Sequence, residues 1–519
     1  MRNLLILKTK KELEEWRKNQ LDEVTFVPTM GCLHDGHKKL IEAAKRKKKQ
    51  KSRTVLVSIF VNPLQFGDNE DFEKYPRNLR QDSQIAYEAG AHAIWTPSFE
   101  DLFPGGIGAH FSIEAPKLLK SQLCGKKRNG HFDGVATIVL KLLTLIKPNY
   151  LVLGEKDWQQ LIILKKLIVD LNLNIKVESV ATHRDSDGLA TSSRNKYLNT
   201  SERTQALTLS RELKKISNSF FKENVLNLET LKTSLMNNNL NVEYVENVDP
   251  ESLKPIRDPS KLSLLAAAVH IGNTRLIDHT FLMTRSPIVA IDGPAGAGKS
   301  TVTKKFAKEI GLMYLDTGAM YRALTWMIKE KNINSSDEES IEAALKDFDL
   351  QIELTRSGDQ EILVNGNNVT KEIRSPLVTK NVSIIATYLC VRQAMTSKQK
   401  EIGIKGGFVA EGRDIGTTVF PNAELKIFLT ASPKERARRR ALDLKKQGYP
   451  VPNLLDLEQQ IDARDKLDCS RMISPLSKAD DAKELKTDGM NIEEVVDIII
   501  EMFRLRVPEE VWPTPNRQD

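Results

Sequence analysis

The sequence predicts two α/β parts in one chain, a doubly wound parallel sheet in the first half and a P-loop unit in the second. In the first half, short β-branched strands alternate with helices, and polar clusters that contain glycine follow several strands. This alternation is typical of a doubly wound parallel sheet, whose ligands bind beyond the carboxyl ends of the strands. In the second half, an apolar strand at 288–291 runs into Gly-Pro-Ala-Gly-Ala-Gly-Lys-Ser at 293–300 and then into a helix. Strand, glycine-rich loop and helix in this order predict a P-loop that cradles phosphate.

Composition narrows the class of protein. The 519 residues supply ample apolar side chains for several cores, and no apolar run reaches membrane-spanning length. The four cysteines show no C-x-x-C pairing, so we expect a reducing, cytoplasmic setting and no cysteine metal site. The net charge of +8 could suggest nucleic acid, but the basic run at 45–51 lacks interleaved aromatic side chains and is explained by a solvated helix end. We expect neither nucleic acid nor a membrane as a partner.

The order of elements predicts the domains. Strands are expected at 4–7, 24–28, 55–61, 93–95, 151–153 and 175–180, with helices between most of them. After 201 the pattern changes to a helix and then short strands near 242–248 and 262–271, which indicates a smaller lobe. The boundary with the P-loop part is expected at 284–287, and residues after 508 are expected to form a frayed tail. The predicted domains are therefore 1–187, 188–283 and 284–519.

Two histidines mark the best candidate site of the first half. His34 and His37 are three residues apart at the start of a helix and so share a face. A metal site is one alternative, but two ligands are too few and no third is marked nearby. The other is that both donate to a phosphate at the helix N-terminus, with Lys156 and Arg194 adding positive charge from other strand or loop ends.

The P-loop by itself leaves the second activity open between kinase, GTPase and transporter ATPase. Lys299 is expected to neutralise phosphate and Ser300 to hold Mg²⁺. Phosphoryl transfer needs charge neutralisation and in-line placement, so the arginines in Glu411-Gly-Arg-Asp414 and Arg464-Asp-x-x-Asp-x-x-Arg471 are informative. Three arginines at 436, 439 and 440 form either a lid over ATP or a solvated basic surface.

Four ordered motifs cover about residues 3–280. They are Pro28-Thr-Met-Gly-Cys-Leu-His-Asp-Gly-His37, Val57-Ser-Ile-Phe-Val-Asn-Pro-Leu-Gln-Phe-Gly67, Gly154-Glu-Lys-Asp157 with Gln159-Gln160, and Asp187-Gly-Leu-Ala-Thr-Ser-Ser-Arg-Asn195. Together they resemble pantothenate synthetase, the pantoate–β-alanine ligases among the HIGH-type nucleotidyltransferases. The resemblance implies that pantoate attacks the α-phosphate of MgATP to give pantoyl adenylate, and that the β-alanine amine then releases AMP. It also implies a doubly wound ATP-binding domain, a small C-terminal lobe that closes over it, and a possible homodimer through this half.

The same resemblance assigns residues. It implies that His37 and Lys156 are catalytic and that Gln65 and Gln160 hold pantoate. Two departures are expected to loosen loops rather than remove ligands, since Asn129 and Ala181 stand where the family usually has proline. The residues implied to bind ATP in this half are Met30, Gly31, His34, Gly36, His37, Gly154, Glu155, Lys156, Asp157, Thr191, Ser192, Ser193 and Arg194.

The second half carries its own motifs over about residues 286–507. They are the P-loop at 293–301, Leu315-Asp-Thr-Gly-Ala-Met-Tyr-Arg322, Val409-Ala-Glu-Gly-Arg-Asp-Ile-Gly-Thr417, and Arg464–Arg471 followed by Pro475-Leu476. They resemble bacterial-type cytidylate kinase, a P-loop nucleoside monophosphate kinase that transfers the ATP γ-phosphoryl group to CMP or dCMP. A hairpin at 350–365 would belong to an acceptor-binding insert, and Asn422 replaces a common aspartate without an assigned role.

This second resemblance also assigns residues. It implies that Lys299 and Arg413 are catalytic, and that Ser383 and Asp414 contact the acceptor's base or sugar. ATP would be bound by Gly293, Gly296, Gly298, Lys299, Ser300 and Thr301, and the acceptor nucleotide by Thr317, Arg322, Ser383, Arg392, Arg413, Asp414, Arg464 and Arg471.

Two rival functions make different demands on the sequence. A nucleotide-sensing protein with one silent half should have lost ligand residues in that half, and none is lost. An adenylating enzyme that acts on nucleic acid should add a basic and aromatic surface, which is absent. The sequence therefore favours two enzymes that use ATP, Mg²⁺ and the small substrates pantoate, β-alanine, CMP and dCMP.

Overall fold

A computed structural model describes residues 4–45, 52–67, 70–256, 262–354, 360–446, 450–471 and 473–512. The chain divides into two compact units. The first comprises Met1–Thr284 with Pro508–Glu510, and the second comprises Arg285–Val507 with Val511–Asp519. The finer division into domains 1–187, 188–283 and 284–519 stays a prediction.

The main sheet of the first unit is parallel, with strand order β1-β4-β3-β2-β5-β6, so the predicted doubly wound class is confirmed. Its central strands are apolar and buried, as expected where helices cover both faces of a sheet. The strands are β1 (Leu5–Leu7), β2 (Glu23–Thr29), β3 (Arg53–Ile59), β4 (Ala93–Trp95), β5 (Tyr150–Gly154) and β6 (Lys176–Val180). The helices are α1 (Lys10–Lys18), α2 (Asp35–Ala44), α3 (Leu79–Ala89), α4 (Phe99–Leu102), α5 (Lys117–Lys120), α6 (His131–Ile146) and α7 (Trp158–Asp170).

A smaller lobe follows the main sheet in the same unit. It contains α8 (Thr200–Glu223), α9 (Leu228–Asn237) and an antiparallel sheet of β7 (Asn241–Val248), β8 (Ser263–Ile271) and β9 (Thr274–Leu282). The strands predicted near 242–248 and 262–271 are present as β7 and β8, but β9 was missed in the sequence. Its alternation is interrupted because Asp278 and His279 are both buried inside the strand.

Helix starts follow ordinary capping chemistry. Thr9 caps α1 and Asn199 caps α8, and each helix has a glutamate at its third position that completes a capping box. Helix α2 is different, because His34 precedes it without a side-chain cap bond. In the described part of the chain, its first-turn N–H groups are therefore not capped by the His34 side chain. The basic run at 45–51 lies outside the described residues except for Lys45.

The second unit is built on another parallel sheet, with strand order β11-β15-β10-β16-β17. The strand before the P-loop, β10, lies at its centre. The strands are β10 (Ile288–Asp292), β11 (Met313–Asp316), β12 (Leu350–Leu354), β13 (Gln360–Val364), β14 (Asn367–Asn368), β15 (Phe408–Gly412), β16 (Leu425–Thr430) and β17 (Lys483–Lys486). The helices are α10 (Lys299–Ile310), α11 (Thr317–Glu330), α12 (Glu338–Leu345), α13 (Pro376–Ile385), α14 (Leu389–Gly403), α15 (Pro433–Lys446), α16 (Leu454–Cys469) and α17 (Ile492–Arg506).

The core of this unit packs α10 and α17 on the parallel sheet. Phe306 and Phe503 are fully buried and meet edge to face, with ring centroids 5.8 Å apart. The predicted hairpin is present as β12 and β13, and residues 355–359 between them lie outside the described residues. The expectation of a frayed tail is wrong as far as Trp512, which packs against Phe503, whereas residues 513–519 are outside the described part. Among the described residues, none of the helices combines the length and apolarity needed to cross a membrane.

Candidate active sites

The loop between β2 and α2 is held by hydrogen bonds to its backbone. The hydroxyl of Thr29 accepts from the N–H of Gly31 at 3.2 Å, and Asp82 of α3 accepts from the N–H groups of Cys32 and Leu33 at 3.0 and 2.7 Å. A side chain at Gly31 would come within 3.0 Å of Asp82 Oδ2, and its φ of +84° suits only glycine well. These contacts fix where the chain enters α2.

His34 and His37 lie at that entry, with ring centroids 4.0 Å apart. Burial lowers the pKa of His34 to about 4, and the charge of Lys156 acts in the same direction. Burial also lowers the pKa of His37 well below its ordinary value, helped by His34. Both rings are therefore neutral near pH 7. Within the part of the chain that the structure describes, neither His34 Nδ1 nor His37 Nδ1 has a hydrogen-bond partner.

Two neutral imidazoles beside a lysine and a helix N-terminus suit a polyphosphate. Each ring can offer an N–H donor, and α2 adds its free backbone N–H groups and its positive dipole end. An anion that docked here would satisfy the buried ring nitrogens, which are costly to leave unpaired. The structure thus brings His34, His37 and Lys156 together as one group.

We expect acid to destabilise the first unit through these rings. Between pH 6.5 and about 4 the unfolded chain binds protons at His34 while the folded chain does not, so stability falls as pH drops through this window. Urea unfolding of the wild type and of His34→Gln at pH 7.5 and 5.0 measures the effect. The variant should lose less stability on acidification than the wild type. An equal loss in both proteins would show that His34 titrates normally.

A second set of contacts positions Gln65, which follows β3. Its amide nitrogen donates to Met30 Sδ at 3.0 Å, and its amide oxygen accepts from Asn62 at 3.1 Å. Its backbone carbonyl accepts from His131 Nδ1 at 2.7 Å and from Arg128 at 3.2 Å. Helix α6 comes this close because Gly134 has no side chain, since a Cβ there would lie 2.1 Å from Leu64 O.

Arg128 organises the loop before α6. It donates from Nε to Glu70 Oε1 at 2.7 Å and from Nη1 to His131 Nε2 at 2.9 Å. His131 therefore carries its proton on Nδ1 and is neutral, and burial together with Arg128 lowers its pKa to about 4. Neither Arg128 nor His131 was singled out as a site residue in the sequence, because their partners come from a segment about 60 residues earlier.

The loop after β6 supplies the remaining predicted residues. Thr191 donates to Asp185 at 2.6 Å, and the Ser192 hydroxyl accepts from the N–H of Arg194 at 3.3 Å. Ser193 shares a hydrogen bond with Tyr75 at 3.3 Å, and Arg194 donates to Asp71 at 2.8 Å. Arg194 thus has a fixed guanidinium.

One cavity of the first unit is lined by part of the predicted set, and His34, His37 and Gln65 are not among its lining residues. The predicted residues that line it come from the turn after β5, from α7 and from the loop after β6, and they lie beside residues of the small lobe. The lining includes Lys156, Asp157, Gln160, Ser192, Arg194, Arg128, His131, Tyr244, Arg275 and His279.

Glu155 is placed differently from its neighbours in the predicted set. Its side chain is fully buried and accepts from Ser179 Oγ and from the backbone N–H of Glu509, each at 2.9 Å. Its carboxylate is therefore engaged away from the cavity lining, and burial raises its pKa.

The P-loop of the second unit connects β10 to α10. Gly293 has φ of +149°, and a Cβ there would lie 2.0 Å from Leu429 O, so only glycine fits. The Lys299 ammonium donates to Gly293 O at 2.7 Å and to Pro294 O at 2.8 Å. Burial lowers the pKa of Lys299 to about 7, and Arg413 acts in the same direction.

Two buried acidic residues belong to the strands next to the P-loop, Asp292 at the end of β10 and Glu411 in β15. Asp292 accepts from the N–H groups of Ile415 and Gly416 at 2.9 and 2.7 Å, and burial raises its pKa to about 6. Glu411 accepts from the Tyr314 hydroxyl, and its second oxygen is buried without a hydrogen-bond partner among the described residues. Burial raises the pKa of Glu411. Ser300, at the start of α10, is exposed.

An arginine cluster faces Asp468, a residue of α16 that was not singled out as a ligand in the sequence. Asp468 accepts from Arg413 Nε at 3.0 Å and also from Arg471. Asp468 lies near the end of α16 and Arg471 just beyond it, and their spacing of three residues was the available signal.

The other predicted acceptor residues come from several elements of the second unit. Arg392 forms a buried ion pair with Asp414, and Thr317 Oγ1 donates to Glu411 O at 2.6 Å. Arg322 lies in α11, five residues after Thr317. Ser383 lies in α13, and in the described part of the chain no hydrogen bond joins it to the arginines.

Comparison with known proteins agrees with both halves. The family model for pantoate-beta-alanine ligase matches residues 5–281, and that for cytidylate kinase matches residues 289–505. A bifunctional pantoate ligase/cytidylate kinase of Prochlorococcus marinus (strain SARG) is 59% identical over 515 residues, which cover 99% of each chain. The protein of the same description from strain NATL2A is 55% identical and covers 98% of this chain and 99% of the relative.

A solved structure is also similar to part of the chain. The pantothenate synthetase of Thermus thermophilus is 34% identical, covers 53% of this chain and 99% of its own, and has a TM-score of 0.49. The two family matches and the full-length relatives confirm the resemblance of each half. The chain belongs to the family of bifunctional pantoate ligase/cytidylate kinases.

Proposed function

We propose that the first unit joins pantoate to β-alanine through pantoyl adenylate. The pantoate carboxylate attacks the α-phosphorus of ATP and pyrophosphate leaves; the β-alanine amine then attacks the acyl carbon and AMP leaves. The observation that carries this assignment is the pair of neutral histidines with unpartnered Nδ1 atoms, within the described residues, beside Lys156. Donors held in place before charge moves stabilise the transition state without reorganisation.

Each residue of this site has a proposed task. His34 and His37 donate to the phosphates, and Lys156 and Arg194 balance the negative charge of the leaving pyrophosphate. Gln65 and Gln160 hold pantoate, whose hydroxyls and carboxylate match amide donors and acceptors. Arg128 and His131 act indirectly, because they hold the backbone carbonyl of Gln65.

We propose that the second unit transfers the γ-phosphoryl group of ATP to CMP or dCMP. Lys299 releases its two loop carbonyls and turns to the phosphates, where its full charge is favoured. Mg²⁺ fits the oxygen donors present, since Ser300 has an exposed hydroxyl and Glu411 a buried oxygen without a partner among the described residues. When bound, Mg²⁺ would neutralise phosphate charge. Arg413 and the other acceptor arginines hold the CMP phosphate with bidentate hydrogen bonds.

Product release tests both activities in one sample. AMP should form only when pantoate and β-alanine are both present, and ADP should form only when CMP or dCMP is present. AMP release without β-alanine dependence would exclude the ligase assignment. The proposed dimer through the first half is tested separately by sedimentation of the full chain.

We expect CMP and dCMP to be far better acceptors than AMP or GMP. Asp414 is buried and paired with Arg392. We expect a bound base or sugar to form a hydrogen bond with Asp414, and we expect a nucleotide that leaves this carboxylate unpaired to bind poorly. Sites of this kind reject analogues by on the order of 10⁴ in kcat/KM. Rates of ADP formation with each nucleotide at equal concentration measure this preference. Equal rates with AMP and CMP would contradict it.

A further inference from the structure

Helix α15 reaches the P-loop through two of its arginines. Arg436 Nη1 donates to Ala295 O at 3.2 Å, and Arg439 Nη1 donates to Ala297 O at 3.2 Å. The two carbonyls belong to the stretch between Gly293 and Lys299 that cradles phosphate. The sequence left open whether this basic helix is a lid or a solvated surface, and Arg436, at 4% exposure, is not solvated.

These contacts affect the direction in which backbone N–H groups of the P-loop point. Among the described residues every peptide bond is trans, so the N–H of each peptide points away from its C=O. An arginine that holds Ala295 O therefore directs the N–H of Gly296 to the opposite side, and one that holds Ala297 O does the same for Gly298. Both glycines have positive φ and no Cβ, so sterics restrict these peptide planes very little.

Both guanidinium groups are themselves anchored. Arg436 also donates from Nε to Ala431 O at 3.0 Å and pairs with Asp465 of α16 at 2.6 Å. Arg439 also donates to Thr487 O at 2.7 Å and to Glu435 at 2.9 Å. A group with several fixed partners can orient a flexible loop, because it loses little further freedom in doing so.

We propose that Arg436 and Arg439 are positioning residues that preset the P-loop peptides, so that the N–H groups of Gly296 and Gly298 face the bound phosphates. They act through the loop and not by touching the nucleotide. This inference rests on the kinase activity proposed for the second unit.

The proposal and a direct lid contact predict different effects on the binding of ADP and ATP. A preset loop serves every nucleotide whose phosphates it cradles, so loosening it weakens ADP and ATP alike. An arginine that contacts the γ-phosphate would weaken ATP alone. CMP occupies the acceptor site and should keep its affinity.

The test is calorimetric titration of the full chain with ADP, with a non-hydrolysable ATP analogue, and with CMP. Arg439→Gln should raise the Kd of ADP and of the analogue equally, by about tenfold, because a hydrogen bond to a charged donor is lost. Arg439→Lys should restore part of the affinity. Arg438→Gln is the matched control, since Arg438 lies in the same helix, is 58% exposed and pairs with Glu435 at the helix surface.

Three outcomes would overturn the proposal. They are wild-type ADP affinity in Arg439→Gln, a loss confined to the ATP analogue, and an equal loss for CMP with a lowered melting temperature. Arg436→Lys gives a second variant in case Arg439→Gln folds poorly. If the wild type itself bound neither ADP nor CMP, the kinase assignment would fail instead, which separates the two conclusions.

Discussion

Replacing Lys299 with alanine should abolish most CMP phosphorylation and leave pantothenate formation near the wild-type rate. The ammonium is buried at the start of α10 and is the charge that meets the β- and γ-phosphates in the proposed complex. Removing one preorganised donor costs on the order of 10²–10³ in rate. ADP formation with CMP, measured beside AMP formation with pantoate and β-alanine, checks both halves in one preparation.

The control for this variant is Lys308→Ala, which removes an exposed lysine from the same helix. Lys308→Ala should keep both activities. Lys299 also holds Gly293 O and Pro294 O, so circular dichroism of Lys299→Ala is needed to show that the second unit remains folded. If Lys299→Ala lost the ligase activity while its circular dichroism stayed native, the interpretation that the two sites are independent would be wrong.

Replacing His37 with alanine should have the reverse effect. Pantothenate formation should fall by on the order of 10²–10³, because one neutral donor to the leaving pyrophosphate is removed. CMP phosphorylation should not change, since His37 lies in α2 of the first unit. The measurement is again paired AMP and ADP release.

A histidine from another part of the first unit controls for the loss of an imidazole. His110→Ala removes a ring that bonds Pro104 O and is not part of α2, so both activities should persist. His37→Asn would restore an N–H donor and should recover part of the ligase rate. Normal pantothenate formation by His37→Ala would remove the histidine pair from the mechanism.

The central parallel strands of the two sheets were predictable because they are buried on both faces and therefore read as continuous apolar runs. β3 and β10 are examples, with nearly every residue buried. Strand β9 was not predictable in this way, since its buried Asp278 is neutralised by Arg184, a partner that lies 94 residues earlier. The local pattern of apolar and polar residues cannot show that a buried charge is neutralised by a residue far away in the chain.

The same contrast between local sequence and long-range contacts applies to the candidate sites. His37 and Lys299 were singled out because their local sequence already contains a helix start. Asp82 and Asp292 were not, although each accepts two backbone N–H groups and shapes a loop. Their donors lie 49–50 and 123–124 residues away, so only the folded chain reveals them.

The ion pair in the loop before α6 bears on how the first unit responds to dissolved salt. Arg128, next to Asn129, fastens the loop to Glu70 and to the carbonyl of Gln65. Both side chains are mostly buried, at 15% and 27% exposure, and dissolved salt screens a partly buried pair much less than a surface pair. The support that Arg128 gives to the Gln65 carbonyl should therefore persist over a wide range of ionic strength.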